Sequence, residues 1–177
     1  MGRKVRKQKR VVAEVVPPVR SPLWTRPGFL VRRLHQIHSA LFFEETKKFN
    51  ITPVQFSLLT VLLHQSGSDQ VTIASEVGLD RTNVADVLRR LTRRGLVRCE
   101  RSAADRRSLV ASLTDEGVKL TTRMHASVLR AQERLLVPLE PAFQPAFMAM
   151  LLQLIEGNNQ YSRVPLRSDF IQPRNEK

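Results

Sequence analysis

Apolar residues recur at helical spacing along most of this chain, and the first such run lies near its beginning. One seam of this kind consists of Leu30, Leu34, Ile37 and Leu41. Its spacing predicts a helix from residue 27 to about residue 48. A second helix is predicted to begin at Thr52-Pro53, because proline is accepted in a first helical turn. Its side chains are apolar nearly all round, so we expect it to be buried.

The stretch from residue 71 to residue 88 has the spacing of a helix-turn-helix. Ala74 allows two helices to approach closely, and Gly78 permits the positive φ of a tight turn. Asp80 is a suitable N-cap for the second helix, and Gly95 is placed to end it. The apolar stripe of that helix consists of Val84, Val87, Leu88 and Leu91. In such a unit the N-terminal residues of the second helix face base edges in the major groove.

Two short strands, Val97–Arg101 and 108–113, are predicted next, with a charged turn between them. A long helix then begins after Thr114 and is broken by Pro138 and Pro141. The last predicted helix carries a seam of Phe143, Phe147, Met150 and Leu154. The predicted fold is mainly α with a small β-hairpin wing, a winged helix-turn-helix with a helical dimerisation domain. Neither seam has enough partners within one chain, so we expect a homodimer.

Composition narrows the function. The chain has 177 residues with 42% hydrophobic content, enough for a real core. No run approaches the roughly eighteen apolar residues of a membrane span, so no membrane contact is expected. A single cysteine excludes an internal disulfide framework and is typical of the reducing cytoplasm. The sequence contains no P-loop, GxGxxG, nucleophile elbow or HExxH, so no catalytic residue or cofactor is predicted.

Charge is concentrated in two stretches. The whole chain carries +13; residues 80–107 hold nine arginines against four acidic residues, a net +5, and residues 1–26 carry +7. Such focusing is typical of proteins that bind a phosphate backbone. The expected partner is double-stranded DNA. Residues 1–26, basic and rich in proline, are predicted to be a flexible arm that lies along phosphates or simply aids solubility.

The order of these parts resembles the MarR family of bacterial transcriptional regulators. The likeness covers roughly residues 27–157. Its most specific pieces are Asp105-Arg106-Arg107-x5-Leu113-Thr114-x-x-Gly117 and the run RRLTRRGLV at 89–97. The resemblance implies an obligate homodimer that binds palindromic DNA.

In that family the wing arginine enters the minor groove and an aspartate orients it, which corresponds here to Arg107 and Asp105. The candidate DNA-binding residues are Arg81, Thr82, Asn83, Asp86, Arg89, Arg90, Asp105, Arg106 and Arg107. Asp86 departs from the family pattern, which tends to carry a basic or neutral residue there. Because an aspartate can accept from a cytosine amino group, the operator sequence cannot be borrowed from relatives.

The resemblance also implies an effector, often an aromatic or phenolic carboxylate or its thioester. The candidate effector-binding residues are Arg32, His35, Gln36, His38 and Phe42. The alternative is that these Arg and His side chains form salt bridges at the dimer interface. Cys99 is expected to be a half-buried strand residue rather than a thiol sensor. The histidines and Cys99 match no compact zinc ligand set, so no metal is predicted.

The predicted domains are an arm (1–26), a winged helix-turn-helix domain (27–158) and a tail (159–177). Within the domain, the DNA-binding lobe spans about 52–114 and the dimerisation helices span 27–48 and 115–158. The leading hypothesis is a repressor released by a small aromatic acid. The alternatives are an architectural DNA-binding protein without an effector, and an enzyme, which the missing catalytic motifs disfavour.

Overall fold

The structure, a computed structural model, describes residues 21–102 and 108–166. Contacts divide the chain into two compact units, residues 1–35 and residues 36–177. The predicted class, mainly helical with a small β-hairpin wing, is confirmed. The helices and strands are α1 (Pro27–Thr46), α2 (Pro53–His64), β1 (Ser68–Asp69), α3 (Gln70–Val77), α4 (Arg81–Arg93), β2 (Val97–Arg101), β3 (Leu109–Leu113), α5 (Asp115–Leu136) and α6 (Gln144–Gly157).

The described part of the first unit is a short 3-10 turn, Pro22–Thr25, followed by the start of α1. The Trp24 ring meets the Phe29 ring edge-on, with centroids 5.4 Å apart. The Arg32 guanidinium lies 5.5 Å from the centroid of the same Phe29 ring. The predicted arm, 1–26, lies largely outside the described residues.

The core of the second unit lies beneath the helix-turn-helix. Leu58, Leu59 and Leu62 of α2 are buried, as the sequence predicted for this helix. They belong to one cluster with Ile73, Val84, Leu88, Leu91, Met124 and Val128. The prediction of burial all round was too broad, because Val54 and Leu63 of the same helix are exposed.

Local capping explains why the predicted helix starts match the structure. Thr52 and Gln55 form a reciprocal capping box at α2, with the Gln55 N–H donating to Thr52 Oγ1 at 3.2 Å. Asp80 caps α4, and Thr114 caps α5. Gly78 ends α3 with φ +66°, the left-handed conformation that its position in the turn required.

The sheet differs from the predicted hairpin by one strand. β1 pairs with β3, which also pairs with β2, giving the antiparallel order β1-β3-β2. The expectation that Cys99 is half-buried was wrong, since its side chain is exposed. The reason is that β2 is an edge strand in which only Val97 is buried.

The chain after α6 is less featureless than the sequence suggested. The Asn159 side chain accepts from the Leu166 N–H at 2.7 Å and donates to the Leu166 carbonyl at 3.0 Å. Ser75 of α3 donates its hydroxyl to the Pro165 carbonyl at 3.3 Å. Residues 159–166 therefore pack back towards α3, while 167–177 lie outside the described residues.

Within the described ranges, no single helix is long and apolar enough to cross a membrane. The bent pair Asp115–Leu136 and Pro141–Gly157 meets that criterion only when the two helices are taken together, by length and composition.

Candidate DNA interface and effector crevice

The first turn of α4 presents three predicted DNA-binding residues side by side. Arg81, Thr82 and Asn83 are all exposed. The Asp80 carboxylate accepts from the Asn83 backbone N–H at 2.9 Å and from the Asn83 side-chain amide. The backbone N–H of Asn83, with burial acting in the opposite sense, holds the pKa of Asp80 below its usual value. Because an ionised carboxylate only accepts, the Asn83 amide nitrogen must face Asp80, which fixes the plane of this side chain.

Two further predicted residues bind each other. The Arg89 Nη1 lies 2.8 Å from the Asp86 Oδ1, and both side chains reach solvent, with 67% and 46% of their surfaces exposed. In the protein without DNA, Asp86 therefore orients Arg89. Its carboxylate retains acceptor capacity for a cytosine amino group.

Not all the arginines of the basic stretch 80–107 are directed to solvent. Arg90 and Arg93 are exposed on α4. Arg94 instead donates to the carbonyls of Asn50 (2.6 Å) and Phe49 (3.1 Å), where it stabilises the turn after α1. On β2, Arg98 forms an ion pair with Glu100 at 3.3 Å.

The wing begins beside the recognition helix. The Ser102 N–H donates to the Ser108 carbonyl at 2.9 Å and closes the hairpin on either side of residues 103–107. A cleft of about 290 Å³ is lined by Arg81 together with Ser108, Leu109 and the start of α3. The base of the wing and the first turn of α4 thus share one surface. Asp105, Arg106 and Arg107 themselves lie outside the described residues.

A crevice in the second unit holds two adjoining cavities. The first, of about 390 Å³, is lined from α1, α2, α3 and α5 by His38, Phe42, Pro53, Phe56, Ser57, Thr60, Val61, Glu76, Val77, Val128 and Gln132. The His38 and Phe42 ring centroids are 6.4 Å apart, and the Phe56 centroid is 6.1 Å from that of Phe42. A helix of the DNA-binding lobe and the long helix α5 therefore border the same cavity.

The second cavity, of about 400 Å³, lies between α2 and α5. Its lining consists of Phe56, Thr60, Leu63, His64, Thr121, Thr122, His125, Val128, Leu129 and Gln132. Sequence reasoning missed this set. The available signal was the position of polar side chains at helical spacing from the apolar stripe of α5, such as Gln132 one turn from Val128.

The structure brings together only part of the predicted effector set. His38 and Phe42 line the first cavity. Arg32 and His35 belong to the first unit, where Arg32 lies over Phe29. Gln36 is exposed at the start of the second unit and is not among the lining residues of either cavity.

Among residues 21–102 and 108–166, no cluster of three or more His, Cys, Asp or Glu side chains has the arrangement of a metal site.

Comparison with known proteins identifies the architecture. The MarR family model matches residues 51–109, from the loop before α2 to the first residue of β3. The PcaV transcriptional regulator of Streptomyces coelicolor, solved with its natural ligand, is 34% identical with a TM-score of 0.69. That alignment covers 77% of this chain and 96% of PcaV.

Two other solved regulators are similar to a comparable extent. CouR, a transcriptional repressor solved on a 23-mer DNA duplex, is 32% identical with a TM-score of 0.71, covering 75% of this chain and 94% of CouR. BpsR of Bordetella bronchiseptica, whose DNA binding is regulated by 6-hydroxynicotinic acid, is 28% identical with a TM-score of 0.70, covering 73% and 92%. This chain therefore belongs to the MarR family and is a transcriptional regulator of the MarR type.

Proposed function

We propose that this protein is a cytoplasmic repressor that binds palindromic operator DNA as a homodimer and releases it when an aromatic acid, or its thioester, enters the crevice. The observation that carries this proposal is the lining of the first cavity. Val77 of α3 and Val128 of α5 both border it, so a ligand there touches the helix-turn-helix and a dimerisation helix at once. The role is regulatory and includes no catalytic step.

The proposed DNA contacts follow from exposure and chemistry. Arg81, Thr82 and Asn83 face base edges, because the first turn of a recognition helix enters the major groove. Arg89 and Arg90, farther along α4, bind phosphates or guanine edges, and Asp86 accepts from a cytosine. The wing residues Asp105, Arg106 and Arg107 address the adjacent minor groove, with Arg107 inserted and Asp105 orienting it.

The ligand chemistry follows from the aromatic and basic groups around the first cavity. Phe42 and Phe56 supply ring surfaces, and His38 supplies an imidazole that can donate to a carboxylate or phenolate. PcaV, solved with its natural ligand, and BpsR, regulated by 6-hydroxynicotinic acid, are relatives whose ligands are known. Arg32 and His35, on the same helix as His38, remain candidates for the acid group.

Release of DNA requires that the ligand bind one spacing of the two DNA lobes better than the other. A coupling of about 1–3 kcal/mol between two sites is typical, which corresponds to roughly 5- to 150-fold in operator affinity. A ligand that bound both arrangements equally would change nothing.

The test is an operator titration with and without a panel of aromatic acids and their coenzyme A thioesters. We expect at least one ligand to weaken operator binding by about 5- to 150-fold in the parent. A variant with Arg32, His35 and His38 all replaced by alanine should bind the operator but lose the response. If that variant still responds as strongly as the parent, these three residues do not hold the effector. A protein that shows no preference for a palindrome would instead be architectural.

A further inference from the structure

Residues 159–166, which we call the C-terminal strap, return from the end of α6 to the helix-turn-helix. The helical stretch Pro141–Gly157, which includes α6, is bent by 104° relative to α5. Beyond it, the Ser75 hydroxyl of α3 donates to the Pro165 carbonyl at 3.3 Å, across 90 positions of the sequence. The chain therefore closes a ring that runs from α3 to α5, through α6, and back to α3.

The strap is held at both of its ends. At its start, the Asn159 side chain accepts from the Leu166 N–H at 2.7 Å and donates to the Leu166 carbonyl at 3.0 Å. Near its end, Val164 packs against the buried cluster that underlies the helix-turn-helix. Ser75, its hydrogen-bonding partner on α3, is only 4% exposed. Segments near a chain end are poorly ordered unless contacts hold them, and these contacts hold this one.

The strap gives α6 a second attachment to its own chain. No residue of α6, a helix that the structure describes over its whole length, is buried. Its packing therefore does little to fix its position relative to the DNA-binding lobe. The covalent connection from α5 permits rotation about the turn at residues 137–143, and an attachment on α3 opposes that rotation.

We propose that the C-terminal strap determines which spacing of DNA half-sites the dimer accepts, by holding α3 at a fixed position relative to α6. The inference rests on the proposed function, in which α6 lies at the dimer interface and α4 reads a half-site. Because α3 and α4 share one buried cluster, fixing α3 also fixes α4. A lobe held in this way binds the matching spacing with little further ordering and binds other spacings poorly. A freer lobe loses entropy when it binds the matching spacing and tolerates the others better.

The experiment uses the palindrome that the parent selects from random-sequence duplexes, and the same palindrome with two base pairs inserted between its half-sites. The insertion rotates one half-site by about 70° relative to the other, since a turn holds roughly 10.5 base pairs. The readout is the ratio of the two dissociation constants. In Asn159→Ala, affinity for the original palindrome should fall by about 2- to 12-fold, the range that one net hydrogen bond corresponds to, and the ratio should fall with it. Val164→Ala, which weakens the other end of the strap, should lower both quantities in the same direction.

A loss of stability alone would leave the ratio unchanged, because a smaller folded fraction weakens binding to both duplexes equally. Asn158→Ala is the matched control. The Asn158 amide donates to the Leu154 carbonyl at 2.8 Å, at the end of α6, so its removal leaves the strap contacts in place. This variant should keep the ratio of the parent.

A second measurement requires neither DNA nor a variant. The Leu166 amide of the parent should be protected from hydrogen exchange, because it donates to the Asn159 side chain. An unprotected Leu166 amide overturns the proposal, as does a ratio that both strap variants leave unchanged or that Asn158→Ala lowers equally.

Two outcomes for the parent separate this proposal from the proposed function. A parent that selects no palindrome, with Leu166 protected, removes the proposed function and the role in spacing but leaves the attachment of the strap. A parent that selects a palindrome yet binds both duplexes equally overturns the role of the strap in spacing and leaves the proposed function in place.

Discussion

Gly117 lies in the first turn of α5, three residues after Thr114, at a position where the structure leaves no space for a side chain. A Cβ added to it would lie 2.0 Å from the Leu96 carbonyl oxygen, which is backbone and not free to rotate away. The Thr114 N–H donates to that same carbonyl at 3.1 Å, and the Thr114 hydroxyl donates to the Gly95 carbonyl at 2.6 Å. The segment that directly follows α4 and the start of α5 are thus joined by hydrogen bonds from both the backbone and the side chain of Thr114.

We expect Gly117→Ala to destabilise the protein by about 1–3 kcal/mol, the usual cost of overpacking a closed site. Alanine favours helices over glycine by about 1 kcal/mol, so a net loss means that the clash dominates. The measurement is urea unfolding, compared with Gly28→Ala. Gly28 also lies in a first helical turn but has nothing within 4 Å of an added Cβ, so that control should be neutral or slightly stabilising. Equal stabilities for both variants would contradict the close approach.

The ion pair of Asp86 and Arg89 predicts two opposite effects of one substitution. Asp86→Ala frees Arg89 and removes a negative charge, so affinity for non-specific DNA should rise. The slope of the logarithm of the binding constant against the logarithm of the salt concentration should steepen by about one unit, the value for one more phosphate contact. Loss of the cytosine acceptor should at the same time lower discrimination for the operator by about 1–3 kcal/mol.

Titrations of operator and random DNA at several salt concentrations separate these effects. Glu100→Ala is the matched control, because it removes the same charge beside Arg98 on the wing. If it reproduces both changes, Asp86 acts only through net charge.

At the scale of elements, the sequence predicted the helix starts, because these depend on capping residues only a few positions away. The starts of α2, α4 and α5 are set by Thr52, Asp80 and Thr114, each of which caps residues three positions ahead, so the signal lies within four residues. The two-residue strand β1 was missed because it exists only through pairing with β3, more than forty residues later. The lining of the two cavities was only partly predicted for the same reason, since α2 and α5 meet through tertiary packing.

One tertiary link between α1 and α5 was also beyond the reach of sequence patterns. Glu45 accepts from Arg134 at 2.8 Å and from Arg130 at 3.1 Å, across more than eighty residues of chain. Glu44 also pairs with Arg134, at 3.1 Å. The Glu45 side chain is the better enclosed of the two, with 18% of its surface exposed against 63% for Glu44.

This link predicts a pH-dependent contribution to stability. Hydrogen bonds from Arg134, then Arg130, lower the pKa of Glu45 below its ordinary value of 4.5. A lowered pKa in the folded state means that the contribution is fully present above 4.5 and is lost as the pH falls through the lowered value. In urea unfolding, Glu45→Gln should therefore be less stable than the parent at neutral pH, and the difference should shrink in acid. Glu44→Gln should show a smaller loss, and a Glu45→Gln deficit that persists unchanged at low pH would rule out the ion pair as its cause.

At the scale of the whole molecule, the exposed apolar surface of α6 indicates that this helix packs against a partner. No residue of this helix is buried, and Phe143, Met150 and Leu154 of the predicted seam are each about 60% exposed, at 59%, 60% and 60%. In the seam of α1, Leu30 and Ile37 are likewise exposed, at 42% and 49%. Exposed apolar surface on this scale marks an interface. The proposed partner is a second copy, because a two-fold axis buries the same patch on both chains at once.

Leu154→Glu should separate the two copies without unfolding either one. Each buried leucine contributes about 1.5–3 kcal/mol, and a two-fold interface contains it twice, so the loss is about 3–6 kcal/mol. That corresponds to roughly 10²- to 10⁴-fold in the dimer dissociation constant.

Sedimentation at micromolar concentration should show a dimeric parent and a monomeric variant. The thermal midpoint of the variant chain should be preserved, because Leu154 packs into no core of its own. Gln153→Glu introduces the same charge at the neighbouring exposed position and should remain dimeric. The monomeric variant should also lose tight binding to a palindrome, since two recognition helices are needed to address half-sites about one DNA turn apart. A parent that sediments as a monomer and still binds a palindrome tightly would show that α6 serves another purpose.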